Sequence, residues 1–333
     1  MTDRSVLVHV PATVGNFAGA LDRAALALSN TLNVKVTARP DSHLAIRYFG
    51  ENGERMPRGR TNLVAQAMEA ALRARQREFQ GADVEIYNSV PVGVGLGSSA
   101  AAVLAGLIAA DRLFGLALGE KTLLDLAAVY EPRLDNLRAA WLGGFVVTTG
   151  IAPDSPQRTE VSPHFVLHVV VPDPLPAVPA SPATDVTVRR PPQAEADGAD
   201  HLAHALEVAR FFAGADAVEA GAAKPHLSLA KAAIPTAPRL LPGLDEALAA
   251  CQPDALAVFV CGAGPAIGIL ADGDAQASIA AVRDCFKRCG VRSGVMEFRP
   301  GNRGAQELNP ARAEADWPAD SKSPTHKPSL IPV

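Results

Sequence analysis

The chain has 333 residues, with 31 Lys+Arg against 35 Asp+Glu, a net charge of −4, and 48% hydrophobic but only 5% aromatic residues. That length fills one large core or two ordinary ones, and the mildly acidic balance argues against a basic field for nucleic acid while leaving a local nest of backbone amides free to bind a small anion. No apolar stretch reaches the roughly 18 residues that a membrane-spanning helix needs, so neither nucleic acid nor membrane is an expected partner.

In chain order, MTDRSVLVHVPA carries an acid, a base and an alternating strand, Val6–Val10, where a signal peptide would need a continuous apolar core, so the cytoplasm is the expected compartment. Pro11–Leu28 reads as a glycine-containing turn into a helix; it carries Asn16 and Asp22, the latter either a first-turn acid capping that helix or a ligand. Strands are expected at Asn33–Thr37, His43–Tyr48 and Asp83–Tyr87, and helices at Asn62–Glu78, Ala100–Phe114, Thr122–Ala128 and Asn136–Ala140, with Gly115 dividing the second from the third. A strand within Gly143–Gly150 closes a first α+β unit, residues 1–155.

The second α+β unit, residues 156–308, begins with the apolar strand Val166–Pro172. The proline-rich segment Pro172–Gln193 that follows excludes regular structure and suits a linker or a substrate-covering loop. Helices His201–Ala213, Leu244–Ala250 and Gln276–Lys287 and strands Ala255–Val260 and Val291–Phe298 complete the unit. Residues 309–333 turn polar and proline-rich and read as a disordered tail. The cysteines at 251, 261, 285 and 289 have no metal-ligand spacing and read as packing residues.

Three clusters carry chemistry. PVGVGLGSSAAA, Pro91–Ala102, passes from three close glycines through two serines into a helix-forming alanine run, which makes it a turn whose free N–H groups and positive dipole end suit a polyphosphate. Gly93, Gly95 and Gly97 would let the backbone approach phosphate oxygens, and Ser98 or Ser99 could cap the helix, donate to phosphate or reach Mg²⁺. The loop has neither the lysine of a P-loop nor dinucleotide-fingerprint spacing, and a purely structural turn would read the same way. YEPRLDNLRAAWLGG, Tyr130–Gly144, gathers Glu131, Arg133, Asp135, Asn136 and Arg138; one carboxylate there could complete a Mg²⁺ shell with a loop serine, or the segment is a solvated turn. In VFVCGAGPAIGIL, Val258–Leu270, the sequence Gly262, Ala263, Gly264, Pro265 interrupts an apolar strand, as a close approach to a ligand or a buried hairpin would require.

Together these segments resemble the GHMP kinases. The family motif P-x-x-x-G-L-G-S-S-A-A is matched by Pro91, Gly95, Leu96, Gly97, Ser98, Ser99, Ala100 and Ala101, the P-A-x-x-x-N motif by Pro11, Ala12 and Asn16 with Gly19 and Asp22 following, and G-A-G-P by Gly262 to Pro265. The homoserine kinase branch is the most similar, through Glu131, Asp135, Asn136, Gly143 and Gly144 and through Asn62 and Leu63. The resemblance implies a two-domain α+β fold, an N-terminal unit like domain 2 of ribosomal protein S5 with a left-handed strand–helix–strand crossover, and a C-terminal α/β plait of ferredoxin-like type. It further implies ATP on the Pro91–Ala100 segment and Gly262 and Gly264, adenine near Asn62, Mg²⁺ on Ser98 and Glu131, and an alcohol acceptor oriented by Asn16 and Asp22.

The implied reaction is phosphorylation of L-homoserine to O-phospho-L-homoserine, a step of threonine biosynthesis, with homodimerisation also implied. Departures fall on the acceptor side: the family segment E-G-H-P-D-N here has Pro132, Arg133 and Leu134, and G-P-G-F-D here is AGALD, Ala18–Asp22. Arg133 and Asp135 join the expected acceptor site, with Arg189 or Arg190 holding a carboxylate and Arg299 or Arg303 as a further candidate. The alternatives are a mevalonate- or phosphomevalonate-type acceptor, or a catalytically impaired member serving as a ligand-binding or regulatory protein, against which the retention of Asp22, Ser98 and Glu131 argues.

Overall fold

In the computed structural model, which describes residues 4–79, 81–148, 156–173, 198–214, 242–250 and 252–308, the chain builds two sheets. The first is seven-stranded: β1 (Ser5–Gly15), β2 (Ala24–Ala38), β3 (Leu44–Gly50), β4 (Ala82–Asn88), β5 (Phe145–Val147), β6 (Gln157–Thr159) and β11 (Gln306–Leu308). Its main path runs β11-β1-β2-β4-β3, with β5 joined to β2 and β6 to β5. Every pairing is antiparallel except β3 with β4, which run parallel and are joined through helix α1 (Leu63–Arg73). β1 and β2 pair from Ser5↔Thr37 to Gly15↔Ala25, with an irregularity between Pro11 and Thr13, so the rim of the sheet carries Asn16.

Helices α2 (Ser98–Phe114), α3 (Gly119–Tyr130) and α4 (Leu134–Leu142) complete the first half. α2 is rich in alanine and buried along most of its length, which suits a helix enclosed by other elements rather than one lying half in water. Gly106 lets α1 approach it: a Cβ there would stand 2.3 Å from the Val64 carbonyl oxygen.

The second sheet is fully antiparallel, in the order β10-β7-β9-β8, from β7 (Phe165–Asp173), β8 (Ala257–Val260), β9 (Ile267–Asp272) and β10 (Arg292–Phe298). With α5 (Gly198–Gly214) and α6 (Leu244–Leu248) between β7 and β8, and α7 (Gln276–Arg288) between β9 and β10, this is the strand order of the ferredoxin-like plait that the resemblance implied. A core of Val170, Ile267, Ile269, Val282 and Phe286 lies between this sheet and its helices.

The two halves share a second core. Phe17 packs 4.8 Å from Phe259 of β8, 5.4 Å from Phe145 of β5 and 5.9 Å from Phe212 of α5, ring centre to ring centre. Two strands beyond residue 155, β6 and β11, sit in the first sheet. The Asn309–Val333 tail and most of the Pro172–Gln193 segment, including Arg189 and Arg190, lie outside the described residues.

One expected element is corrected. Pro11–Leu28 does not turn into a helix: a 3-10 turn at Phe17–Gly19 leads straight into β2. Ala24–Leu28 is buried without interruption, because Ala25 packs with Ala139 of α4 and Val146 while Ala24, Leu26 and Leu28 belong to the main core, and a strand buried on both faces loses the period-2 signal. Asp22 therefore caps no helix.

Candidate active site

The glycine loop between β4 and α2 behaves as its composition demands. Gly93, Gly95 and Gly97 have φ of 81°, 89° and 68°, in the left-handed region open to glycine. A Cβ on Gly95 would meet the Cys261 carbonyl oxygen at 1.8 Å, and one on Gly97 would meet Thr13 Oγ1 at 2.1 Å, so these glycines are required by close contact as well as by backbone angle. Gly97 is the N-cap of α2, placing Ser98 and Ser99 in the first turn, where the amides have no helical partner. Pro91, Leu96 and Ala100 are buried and hold the loop against the core.

The three other motifs close around this loop. Gly262 N–H donates to the Gly15 carbonyl at 3.0 Å, and Asn16 Nδ2 donates to the Gly262 carbonyl at 2.9 Å. Gly262 and Gly264 have φ of 56° and 78°. Asn16, itself left-handed at φ 56°, accepts from the Asp22 backbone N–H through Oδ1 at 2.9 Å and donates its own backbone N–H to Asp135 Oδ2 at 3.2 Å. The Asn16 amide is thus spent on shaping the turn, while Asp22, at φ 52°, presents an exposed carboxylate at its end.

Thr13 was not foreseen, although it stands inside the P-A-x-x-x-N motif. Its N–H donates to the Leu96 carbonyl at 3.2 Å and its hydroxyl to Asn136 Oδ1 at 3.0 Å, so one fully buried residue ties β1 to the glycine loop and to α4. His204 of α5 was also missed: its Nε2 donates to the Ala18 carbonyl at 2.8 Å, holding a turn in which Ala18 is left-handed. No local pattern marks a histidine that acts on a backbone atom nearly two hundred positions away.

Glu131, at the end of α3, is buried; one carboxylate oxygen accepts from Ser99 Oγ and the other from the Arg133 backbone N–H at 3.2 Å. The serine that meets Glu131 is therefore Ser99, one position beyond the Ser98 expected as its metal-binding partner, because α2 starts at Ser98 and the helical phase turns the next side chain toward α3. Among the described residues no group of three or more His, Cys, Asp or Glu could hold a metal on its own. One carboxylate and one hydroxyl beside a phosphate loop are, however, a donor set that suits Mg²⁺ shared with phosphate oxygens.

Asp135, in the first turn of α4, is fully buried, and burial pushes its carboxyl up to about 6, against the opposing pull of the Arg133 charge and the N–H groups of Asn16 and Asn136. Oδ2 takes the Asn16 N–H, whereas Oδ1 has no partner. A buried carboxylate oxygen left open beside Asn16 and Asp22 is an acceptor waiting for a donor, and a cationic one would offset the burial cost most fully.

Asn62 caps α1 through Oδ1 to the Val64 N–H at 2.9 Å and donates Nδ2 to the Pro57 carbonyl at 2.8 Å. It shapes the expected adenine wall rather than pointing a free amide into it. Arg299 is engaged with the carbonyls of Pro163 and His164 and with Glu297, while the Arg303 backbone packs against Gly143 of the Tyr130–Gly144 segment and its charge acts on His9.

Two family models match the chain, GHMP kinases N terminal domain over residues 62–144 and GHMP kinases C terminal over residues 216–288. A homoserine kinase of Moorella thermoacetica is 31% identical over 308 residues, covering 90% of this chain and 98% of that protein. One of Thermus thermophilus is 32% identical over 280 residues, covering 82% and 89%. Among solved structures, homoserine kinase from Cytophaga hutchinsonii superposes with a TM-score of 0.66 at 22% identity, over 92% of this chain and 98% of that one. A mevalonate kinase of L. major in complex with R-mevalonate superposes with a TM-score of 0.57 at 16% identity, over 91% and 98%. At those identities the two structures speak for the fold alone.

Proposed function

The chain belongs to the GHMP kinase family, and on that premise we propose that it transfers the γ-phosphoryl group of ATP to the hydroxyl of L-homoserine, giving O-phospho-L-homoserine. The likeness to homoserine kinases over nine-tenths of the chain supports the reaction. The observation that carries the acceptor is the open Oδ1 of Asp135, a buried anionic oxygen suited to the ammonium of an amino acid and of no use to mevalonate.

Phosphoryl transfer asks a protein mainly for positioning and charge neutralisation. The amides of the Gly93–Gly97 loop and the first turn of α2 face the phosphates, and they are preorganised because the glycines are fixed by contacts with Thr13 and Cys261. Mg²⁺ would be held by Glu131 with Ser98, or with the Ser99 that hydrogen-bonds Glu131, and would spread the charge of the phosphate oxygens. On the acceptor side, the Asn16 turn holds Asp22 where it can orient the reacting hydroxyl, while Asp135 takes the ammonium. The acceptor oxygen forms a bond to the γ-phosphorus as the bond to the bridging oxygen breaks; that electron pair leaves on ADP, and the hydroxyl proton is released to solvent.

Arg189 and Arg190 keep their place in this reading as candidates for the acceptor carboxylate. A place in threonine biosynthesis, a cytoplasmic location, a homodimer and the division into units 1–155 and 156–308 belong to the same reading. Among the described residues no helix is long and apolar enough to cross a membrane.

The test is ADP release from Mg-ATP with L-homoserine, D-homoserine, L-threonine, mevalonate and phosphomevalonate, with Asp22→Asn as control. L-homoserine should lead the panel and the control should lose turnover. Preference for a non-amino alcohol would reject the role given to Asp135, and no turnover with any acceptor would reject the kinase reading in favour of a binding protein.

A further inference from the structure

The phosphate loop of this chain contains no basic residue: Pro91–Ala102 holds only glycine, serine and apolar side chains. Backbone amides and a helix dipole supply partial charges, whereas the phosphoryl group in flight carries full negative charge over its equatorial oxygens. A cation from elsewhere in the fold is the missing part.

Arg133 is delivered to that place by the short link between α3 and α4. A Cβ built on Gly262 would stand 2.7 Å from Arg133 Nη2 and 2.7 Å from the Gly95 carbonyl oxygen, so the guanidinium and the middle of the glycine loop flank the same point. Glycine at 262 is what leaves room for the guanidinium. On one side the Arg133 backbone N–H donates to Glu131, the carboxylate paired with Ser99. On the other, its charge acts on the acceptor-side carboxylate of Asp135. Arg133 is half-buried, and among the described residues its guanidinium has no hydrogen-bond or ion-pair partner. An arginine with five N–H donors, partly removed from water and unspent, stands between the nucleotide loop and the acceptor pocket.

We propose that Arg133 is a catalytic residue of this kinase, donating to equatorial oxygens of the phosphoryl group as it passes from ATP to the acceptor. The proposal rests on the phosphotransfer reading above but not on the identity of the acceptor. The guanidinium exchanges no proton; it offers a planar pair of N–H groups that an ammonium cannot reproduce. It does for this loop what a lysine does at the end of a P-loop, from a different segment of chain.

Two measurements on Arg133→Gln and Arg133→Lys test it. In steady state Arg133→Gln should lower kcat about 10²- to 10³-fold, the usual cost of removing a preorganised donor to developing charge, with the acceptor KM little changed and Arg133→Lys recovering part of the loss. In equilibrium titrations without acceptor, Arg133→Gln should weaken Mg-ATP by at least about tenfold while leaving Mg-ADP unchanged, since only ATP carries the γ-phosphate. The nucleotide comparison stands even if homoserine is the wrong acceptor. A normal kcat with a raised acceptor KM would overturn the proposal and make Arg133 a ligand for an acceptor anion. Equal losses for ATP and ADP, or none for either, would overturn it as well. Should Arg133→Gln fail to fold, the same ATP-to-ADP ratio is read on Arg133→Lys.

Discussion

Replacing Asp135 by asparagine should make this protein more stable and at the same time disable it. Moving the carboxyl from its ordinary 3.8 to about 6 corresponds to about 3 kcal/mol, at about 1.4 kcal/mol per pH unit, charged against the folded state once the group is ionised. Because the folded-state value is the higher one, the folded protein holds the proton more tightly between 3.8 and about 6, stability falls as pH rises through that window, and the full cost is present at pH 7.5. Asparagine can keep its oxygen on the Asn16 N–H and turn its amide toward the position of the open Oδ1, exchanging an unpaired buried acceptor for an unpaired buried donor. With the packing kept, the expected gain is about 1–3 kcal/mol at pH 7.5, vanishing below about pH 4. The same variant loses the ammonium partner, so KM for L-homoserine should rise about 10²-fold or more. Urea unfolding at pH 7.5 and 4 measures the first effect, and ADP release against homoserine concentration the second. A variant that is less stable at pH 7.5, or equally altered at both pH values, or that keeps its KM, would refute the reasoning.

In the wild-type protein, KM for L-homoserine should rise as pH falls below about 6, where Asp135 of the free enzyme takes up its proton, while KM for ATP stays flat over the same range; a flat homoserine profile from pH 5 to 8 counts against the assignment. His204→Leu should lower kcat/KM by about tenfold through loosening of the Ala18 turn, with His204→Gln, whose amide can reach the same carbonyl, restoring most of it. Gly97→Ala should abolish nucleotide binding as judged by titration, since its Cβ would fall 2.1 Å from Thr13 Oγ1. A chain ending at residue 308 should retain turnover within about twofold, whereas one ending at 298 should fail to fold by circular dichroism, because it loses β11 and the segment packed on Leu28 and Trp141.

The glycine loop could be read from sequence because three glycines in five positions before a run of alanines have few structural uses. The ferredoxin-like plait followed from the resemblance, whereas the alternating elements by themselves read only as an α+β unit. β2 defeated the periodicity argument at Ala24–Leu28, where both faces are buried, and β6 and β11 are three residues each, too short for any period. Within the site, that Ser99 rather than Ser98 hydrogen-bonds Glu131 depends on where α2 begins, a matter of one residue. Thr13 and His204 act through backbone or amide partners far away in the chain, and nothing near them in sequence announces it. Arg299 is a candidate on residue type alone, and only the fold shows it hydrogen-bonded to the Pro163 and His164 carbonyls and to Glu297.

The closure of β1 by β11 carries a consequence for synthesis. The last described strand pairs Leu7↔Leu308 and His9↔Gln306 with the first, so a ribosome that has released the whole first half of the chain has still exposed one long edge of its sheet. Until residue 308 emerges, that edge is a template for any extended segment of another chain. The kinase therefore cannot complete its first sheet before its plait has been made, and fragments ending near residue 155 should be lost to aggregates in the cell long before their catalytic incompleteness matters.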